Sequence, residues 1–323
     1  MSNGDNAGLD VTIDALEPVV EMFEHYGVTR ADIWVLAALE ASVWSQESSD
    51  LNDVESGTVD YPFAMNWIGR PNCEDLYVPS ECVDEDCSAE RGPHRDLPGP
   101  DLNTHELLDY FETNFDFDSR DTVAIMGAHK LGELARENSG FDGPVGWTAN
   151  NQLLTNGYYG ELIGGESAAD DFETLMNAGS WTMAHVDNEA DGYSTSDRWQ
   201  WERGITDEKM FVMLNSDVAI VRDLSDDGSG NSYIGEDGEV AGCLFKCKRD
   251  NGEGCALPRC PHAESTWDIA VEYRFDNDTW MTDFEDAFVR MLEWGEYDTS
   301  ARCISPPCTL ASVARRNLRT HKS

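Results

Sequence analysis

His129 stands in the run Val123-Ala124-Ile125-Met126-Gly127-Ala128-His129-Lys130-Leu131-Gly132, a single imidazole among small and apolar residues. Gly127, Ala128 and Gly132 thin the chain around the ring, and such close approach suits a flat macrocycle whose iron takes a histidine as ligand. The same residue types also describe a core histidine satisfied by a backbone carbonyl, so this run alone leaves both chemistries open. Cysteines form the second reactive group: Cys73, Cys82 and Cys87; Cys243, Cys247, Cys255 and Cys260; Cys303 and Cys308. Clustered in loop-rich sequence, they point to disulfides and a secreted or lumenal compartment, with organellar or cytoplasmic placement as the alternatives. Their odd number leaves at least one free or intermolecular. Cys243, Cys247, Cys255, Cys260 and His262 also admit a small zinc site, although their spacing is not the paired C-x2-C type. Asn277-Asp278-Thr279 matches a glycosylation sequon, a triplet that chance also produces.

The elements that must position these residues are mostly helical in pattern. Leu9, Ile13, Leu16, Val20 and Phe23 recur at three and four, with Pro18 expected to bend or split the helix they line. Thr29 and Asp32 form a capping box for a second helix whose Ile33, Trp34, Leu36, Ala37 and Leu39 predict a central position. Residues 48–100 lose all pattern and read as a long stapled loop with the acidic run Asp84-Glu85-Asp86. Asn103 or Thr104 caps a helix carrying Leu107, Leu108, Phe111 and Phe115, and Asp118 with Asp121 caps the helix that leads to His129. A helix over about Thr266–Arg274 precedes an amphipathic one carrying Trp280, Phe284, Ala287, Phe288, Met291 and Leu292. Residues 164–207 and 225–264 read as insertions, no internal repeat is evident, and no segment reads as an alternating strand ladder.

Composition narrows the function classes. Acidic residues outnumber basic ones 63 to 22, a net charge of −41, which disfavours nucleic acid and anionic membranes and favours cations or a basic partner. The tail from Thr309 is opposite in sign and is placed to fold back on the acidic body. At 323 residues the chain can bury a real core. Its longest apolar run, Ile33 to Leu39, is about a third of the ~20 residues that a bilayer span needs. No Lys or Arg occurs before Arg30, so neither a signal peptide nor a basic transit peptide is visible. Two expectations follow: the protein stays where it is made, or the sequence starts inside a longer precursor.

Longer motifs decide between the readings of His129. Gly127-Ala128-His129-x-Leu131-Gly132, then Glu137-Asn138-Ser139-Gly140-Phe141-Asp142-Gly143-Pro144 and Trp147-Thr148-Ala149-Asn150, resembles the proximal side of the class I haem peroxidases, the group of cytochrome c peroxidase and ascorbate peroxidase. The resemblance continues through Asn156-Gly157-Tyr158-Tyr159-Gly160-Glu161-Leu162, Met213-Leu214-Asn215-Ser216-Asp217 and the helix Trp280 to Leu292. Upstream, Asn6-Ala7-Gly8-Leu9, Leu16-Glu17-Pro18, Ala31-Asp32, Gly69-Arg70 and Leu97-Pro98 fall in the family's order. The resemblance implies an all-α haem peroxidase fold, two helical halves around one haem b, enlarged by Cys-rich loops. As one domain over 1–323, residues 1–117 would hold a remnant of the distal half and the long loop, and 118–323 the proximal half with its insertions.

Carried onto this sequence, the resemblance makes His129 the iron ligand, Asp217 the carboxylate behind it and Trp147 the oxidisable indole beneath the haem. Met126, Leu97, Pro98, Leu214 and Ser216 would contact the macrocycle. Alone, Asp217 would read as a helix cap or surface acid and Trp147 as a core aromatic. The implied activity is H2O2 reduction coupled to one-electron oxidation of a donor not named by the sequence, a basic protein being the class its charge favours. Three departures stand out. The distal His and Arg of the family lie upstream of the segment that here begins at Asn6, so the expectation is an incomplete chain or, alternatively, a haem-binding or structural pseudoperoxidase. Asn138 replaces the Arg of ascorbate-using members. Lys130 replaces the hydroxyl that serves a monovalent cation in some members, while Thr148 and Asn150 are retained, so the resemblance leaves two occupants for that region, a monovalent cation or the Lys130 ammonium, with Lys130 counting against the cation.

Overall fold

The computed structural model describes residues 8–47, 65, 67–70, 97–143, 146–163, 181–196, 198–206, 209–224, 239–240, 245–246, 262–292 and 302–303. They belong to two compact units, one of residues 8–95 and 289–323, the other of 1–7 and 96–288. The disulfide and zinc expectations rest on cysteine side chains outside the described residues, as does the basic tail. Among the described residues, no three His, Cys, Asp or Glu side chains are placed to hold a metal ion. No helix there is long and apolar enough to cross a membrane.

The first unit contains helices α1 (Asp10–Glu24) and α2 (Arg30–Glu47). Pro18 does not split α1: it and Asp14, whose carbonyl loses its usual donor, are both exposed, so water can take that carbonyl. The capping box is present, with the Asp32 amide donating to Thr29 Oγ1 at 3.1 Å and the Thr29 amide to Asp32 Oδ2 at 3.4 Å. Asp32 is fully buried and also takes the amides of Gly69 at 2.7 Å and Arg70 at 3.3 Å, and the Arg70 guanidinium at 3.0 Å. Gly69-Arg70 is thereby fixed beside a short strand, β1 (Trp67–Ile68), paired with residues 302–303. The expectation of a central α2 needs correction. Ile33, Leu39 and Val43 are buried, but Trp34, Leu36 and Trp44 are exposed, so it buries one face only.

In the second unit helices α3 (Thr104–Phe115) and α4 (Ser119–Met126) both open on full capping boxes, Asn103 with Glu106 and Asp118 with Asp121. A 3₁₀ turn, Gly127–Lys130, continues α4 and is followed by α5 (Arg136–Ser139) and α6 (Gly157–Ile163). After the sheet come α9 (Trp267–Phe275) and α10 (Asn277–Leu292), the former packed on α6 and α4. Trp280, Phe284 and Ala287 of α10 are buried, as the amphipathic pattern predicts.

The sheet was not foreseen. Strands β2 (Thr182–Val186), β3 (Arg198–Thr206) and β4 (Lys209–Met213) form an antiparallel ladder, Met183 opposite Trp201 and Trp201 opposite Met213, within and just beyond the stretch 164–207 read as an insertion. Between β2 and β3 lies a short helix, α7 (Asn188–Asp191), and after β4 comes α8 (Asn215–Val218). Two ties lock the ladder to its surroundings. Gln200 exchanges hydrogen bonds with the backbone of Asp142 at 2.9 Å in both directions. Arg203 forms an ion pair with Glu161 and donates to its carbonyl at 3.0 Å, where Trp181 Nε1 also donates at 3.1 Å.

Gly127 was expected to make room for a macrocycle, but its open side faces the protein interior. A Cβ there would lie 2.6 Å from Trp280 Nε1 and 2.7 Å from Tyr159 Oη, both fully buried. Gly127→Ala should therefore lower stability by about 1–3 kcal/mol through overpacking, read as a lower midpoint in urea unfolding. An unchanged midpoint would show that α10 can back away without cost.

Candidate functional site

The site is built on the end of α4. The Gly127 amide turns back to the carbonyl of Ala124, three residues earlier, as the helix tightens into the 3₁₀ turn. That change withdraws the usual i→i−4 donor from Val123, and side chains from far along the chain replace what is lost. Tyr159 Oη donates to Val123 O at 2.7 Å and Trp280 Nε1 to Ala124 O at 3.2 Å. The tightened turn carries His129, one-third exposed at its side chain.

Strand β4 supplies the next part. It runs through Leu214 into α8, and Trp201 Nε1 on β3 fixes the start of that helix by donating to Asn215 Oδ1 at 2.7 Å. Asp217, fully buried, accepts the Leu214 amide on Oδ2 at 2.7 Å. Its Oδ1 lies 2.6 Å from His129 Nδ1 and takes the Tyr158 hydroxyl at 2.8 Å. Tyr158 has no marked role in the sequence beyond its place in the Asn156–Leu162 motif. Its signal is a phenol on a fully buried helix face, which demands an acceptor. Burial, and then the negative Asp217, push its ionisation well above the usual tyrosine range, so it remains a donor.

Trp147 is buried and stacks on the His129 ring at 3.9 Å between centroids with planes 5° apart. The loop after it holds Lys130, 3% exposed, whose Nζ donates to Thr148 Oγ1 at 3.0 Å, Ala149 O at 2.6 Å and Asn150 O at 2.7 Å. Burial lowers its pKa to about 8, which leaves the ammonium as the main form at pH 7. Gly157 makes space for the same side chain, since a Cβ there would lie 2.9 Å from Lys130 Cε. Lys130 thus places an ammonium on the oxygens of Thr148, Ala149 and Asn150.

The remaining expected contacts lie in the same unit. Met126, Leu214 and Ser216 are buried, whereas Leu97 is 66% exposed and Pro98 half-buried. The Ser216 amide donates to Pro100 O at 3.2 Å, and Thr104 Oγ1 to Ala219 O at 2.6 Å, so residues 97–104 are tied to α8. Chemically, the arrangement offers one imidazole whose Nδ1 is committed to a buried carboxylate, leaving Nε2 to meet a ligand.

A family model described as peroxidase matches residues 1–225. A protein of Debaryomyces hansenii named "Putative heme-binding peroxidase" is 26% identical over 219 residues, covering 68% of this chain and 38% of that one. L-ascorbate peroxidase 1, cytosolic, of Oryza sativa subsp. indica is 31% identical over 167 residues, 51% of this chain and 53% of its own. Cytochrome c peroxidase, mitochondrial, of Emericella nidulans is 32% identical over 161 residues, 50% of this chain and 36% of its own. The chain thus spans from about a third to about half the length of these relatives. A match that takes in well over half of the sequence, and with it His129, Trp147 and Asp217, makes the chain a member of the peroxidase family, to which its helical fold belongs.

Proposed function

We propose that the chain binds haem b through His129 Nε2 and reduces H2O2 at the expense of a one-electron donor. The observation that carries this reading is the hydrogen-bonded pair His129–Asp217, 2.6 Å apart, with the carboxylate fully buried and the imidazole part-exposed. A core histidine has no need of that combination. The residues fit a haem: a ligand nitrogen, the buried apolar Met126 and Leu214, and an exposed leucine, Leu97, held nearby by the 97–104 tie. Bound there, haem iron supplies the two-electron reduction of peroxide. Asp217 fixes the imidazole tautomer and raises its basicity, Trp147 packs the ring in place and offers an oxidisable indole beside it, and Lys130 anchors the loop that carries Trp147.

The donor is proposed to be a basic protein, because a net charge of −41 attracts cations and repels small anions, and Asn138 stands where ascorbate-using members have Arg. The compartments in the relatives' names, cytosol for the rice protein and mitochondrion for the Emericella one, favour a cytoplasmic or organellar place for this chain. The secreted or lumenal expectation drawn from the cysteines finds no support in them.

Haemin titrated into the chain should give a Soret band that saturates at one equivalent, and His129→Ala should abolish it or shift it to that of loosely held haem. A spectrum unchanged by His129→Ala would sink the assignment. The rate of H2O2 consumption by the loaded chain then separates a working peroxidase from a haem binder without turnover.

A further inference from the structure

Two donors share one oxygen in this site. Asp217 Oδ1 receives His129 Nδ1–H at 2.6 Å and the Tyr158 hydroxyl at 2.8 Å, while Oδ2 is held separately by the Leu214 amide. Building on the haem reading above, we propose that Tyr158 is a positioning residue that sets how strongly His129 donates electron density to a bound iron, by competing with the imidazole N–H for Asp217 Oδ1.

The geometry gives the phenol little freedom to do anything else. Tyr158 and Asp217 are fully buried, and the tyrosine ring meets the His129 ring edge-on at 6.3 Å. Helix α6, which carries it, is pinned at both ends. At its start Asn156 Nδ2 donates to Tyr273 O at 2.9 Å, and near its end Glu161 is held by Trp181 and Arg203. Arg203 lies on the ladder that also leads into Asp217, and Trp181 lies immediately before its first strand, so hydroxyl and carboxylate are set by one framework.

The direction of the effect follows from hydrogen-bond competition. A carboxylate oxygen that accepts from a second donor is a weaker acceptor for the first, so the His129 N–H bond is looser than it would be with Oδ1 to itself. A looser bond means less imidazolate character, a less basic ligand and a higher ferric/ferrous potential, since axial-ligand basicity and its outer partners tune the iron. Tyr158 thus moderates the push that Asp217 would otherwise deliver in full.

Tyr158→Phe removes only the hydroxyl. In the haem-loaded chain it should shift the one-electron equilibrium toward ferric iron by about tenfold, about 59 mV in a spectroelectrochemical titration. In the haem-free chain the His129 Nδ1 proton resonance should move downfield as its bond to Asp217 shortens. Replacing Tyr158 with 3-fluorotyrosine, a stronger donor of the same shape, should move both readings the opposite way, and it decides the matter if the Phe variant fails to fold. A merely structural tyrosine would change stability and leave the potential and the proton shift where they were, and either that result or a shift of reversed sign overturns the proposal. His129→Ala serves as the control: if it leaves the haem spectrum unchanged, the ligand reading falls and this one with it.

Discussion

Replacing Asp217 with alanine should cost the folded chain about 4 kcal/mol, seen as a large drop in the urea midpoint. Three donors converge on that side chain, from Leu214, Tyr158 and His129. A buried donor left without a partner costs about 1–3 kcal/mol. His129 is part-exposed and can turn to water, but the Tyr158 hydroxyl and the Leu214 amide are buried without that escape. Against a total stability of about 5–15 kcal/mol, such a loss takes much of the margin. Asp217→Asn keeps the shape and one acceptor, and its amide group then faces one of the donors, so its cost should be smaller than that of alanine. If Asn and Ala prove equally harmless, the carboxylate is not the hub that the geometry describes.

The second large effect concerns Lys130. Lys130→Ala removes an ammonium that serves Thr148 Oγ1, Ala149 O and Asn150 O, and it leaves a hollow lined by those oxygens. Ala149 O keeps Thr148 Oγ1 at 3.1 Å and Asn150 O keeps the Leu153 amide at 3.0 Å, but both lose a charged donor, and the turn that carries Trp147 loses one of its anchors. The expected loss is about 1.5–3 kcal/mol, the net worth of hydrogen bonds to a charged group. Oxygens in this arrangement suit a small monovalent cation, so added potassium or ammonium should restore part of the thermal stability of Lys130→Ala. The parent chain should be insensitive to the same salts when compared with a large organic cation at equal ionic strength. Equal salt responses in both proteins would refute a built-in cation at this place.

The helix starts and the His129 segment were legible because their signals are local. Asn103 with Glu106, and Asp118 with Asp121, declare themselves within four residues, and both boxes are made. Asp217 and Trp147 were legible only through resemblance to a known family, since nothing in their own neighbourhoods marks an acid or an indole as special. Strand β3 was hidden for a physical reason. Gln200 and Trp201 are neighbours and both fully buried, which breaks the alternation that identifies a half-buried strand. Each is tolerated because a distant group satisfies it, Asp142 for the glutamine and Asn215 for the indole. Tyr158 escaped for the same cause. Its meaning lies in a carboxylate 59 residues away.

The Trp280 cap on α4 has a consequence for synthesis. Its hydrogen bond to Ala124 spans 156 residues, so at about 5–20 residues per second the indole leaves the ribosome roughly 10–30 s after the helix that it completes. Through that interval the end of α4 lacks a donor from α10, and Tyr159 must find its place without the indole it packs on. The proximal pocket is therefore a late product of translation. A ribosome-bound chain ending before α10 should take up haem poorly even though His129 and every other residue proposed to touch it have been made.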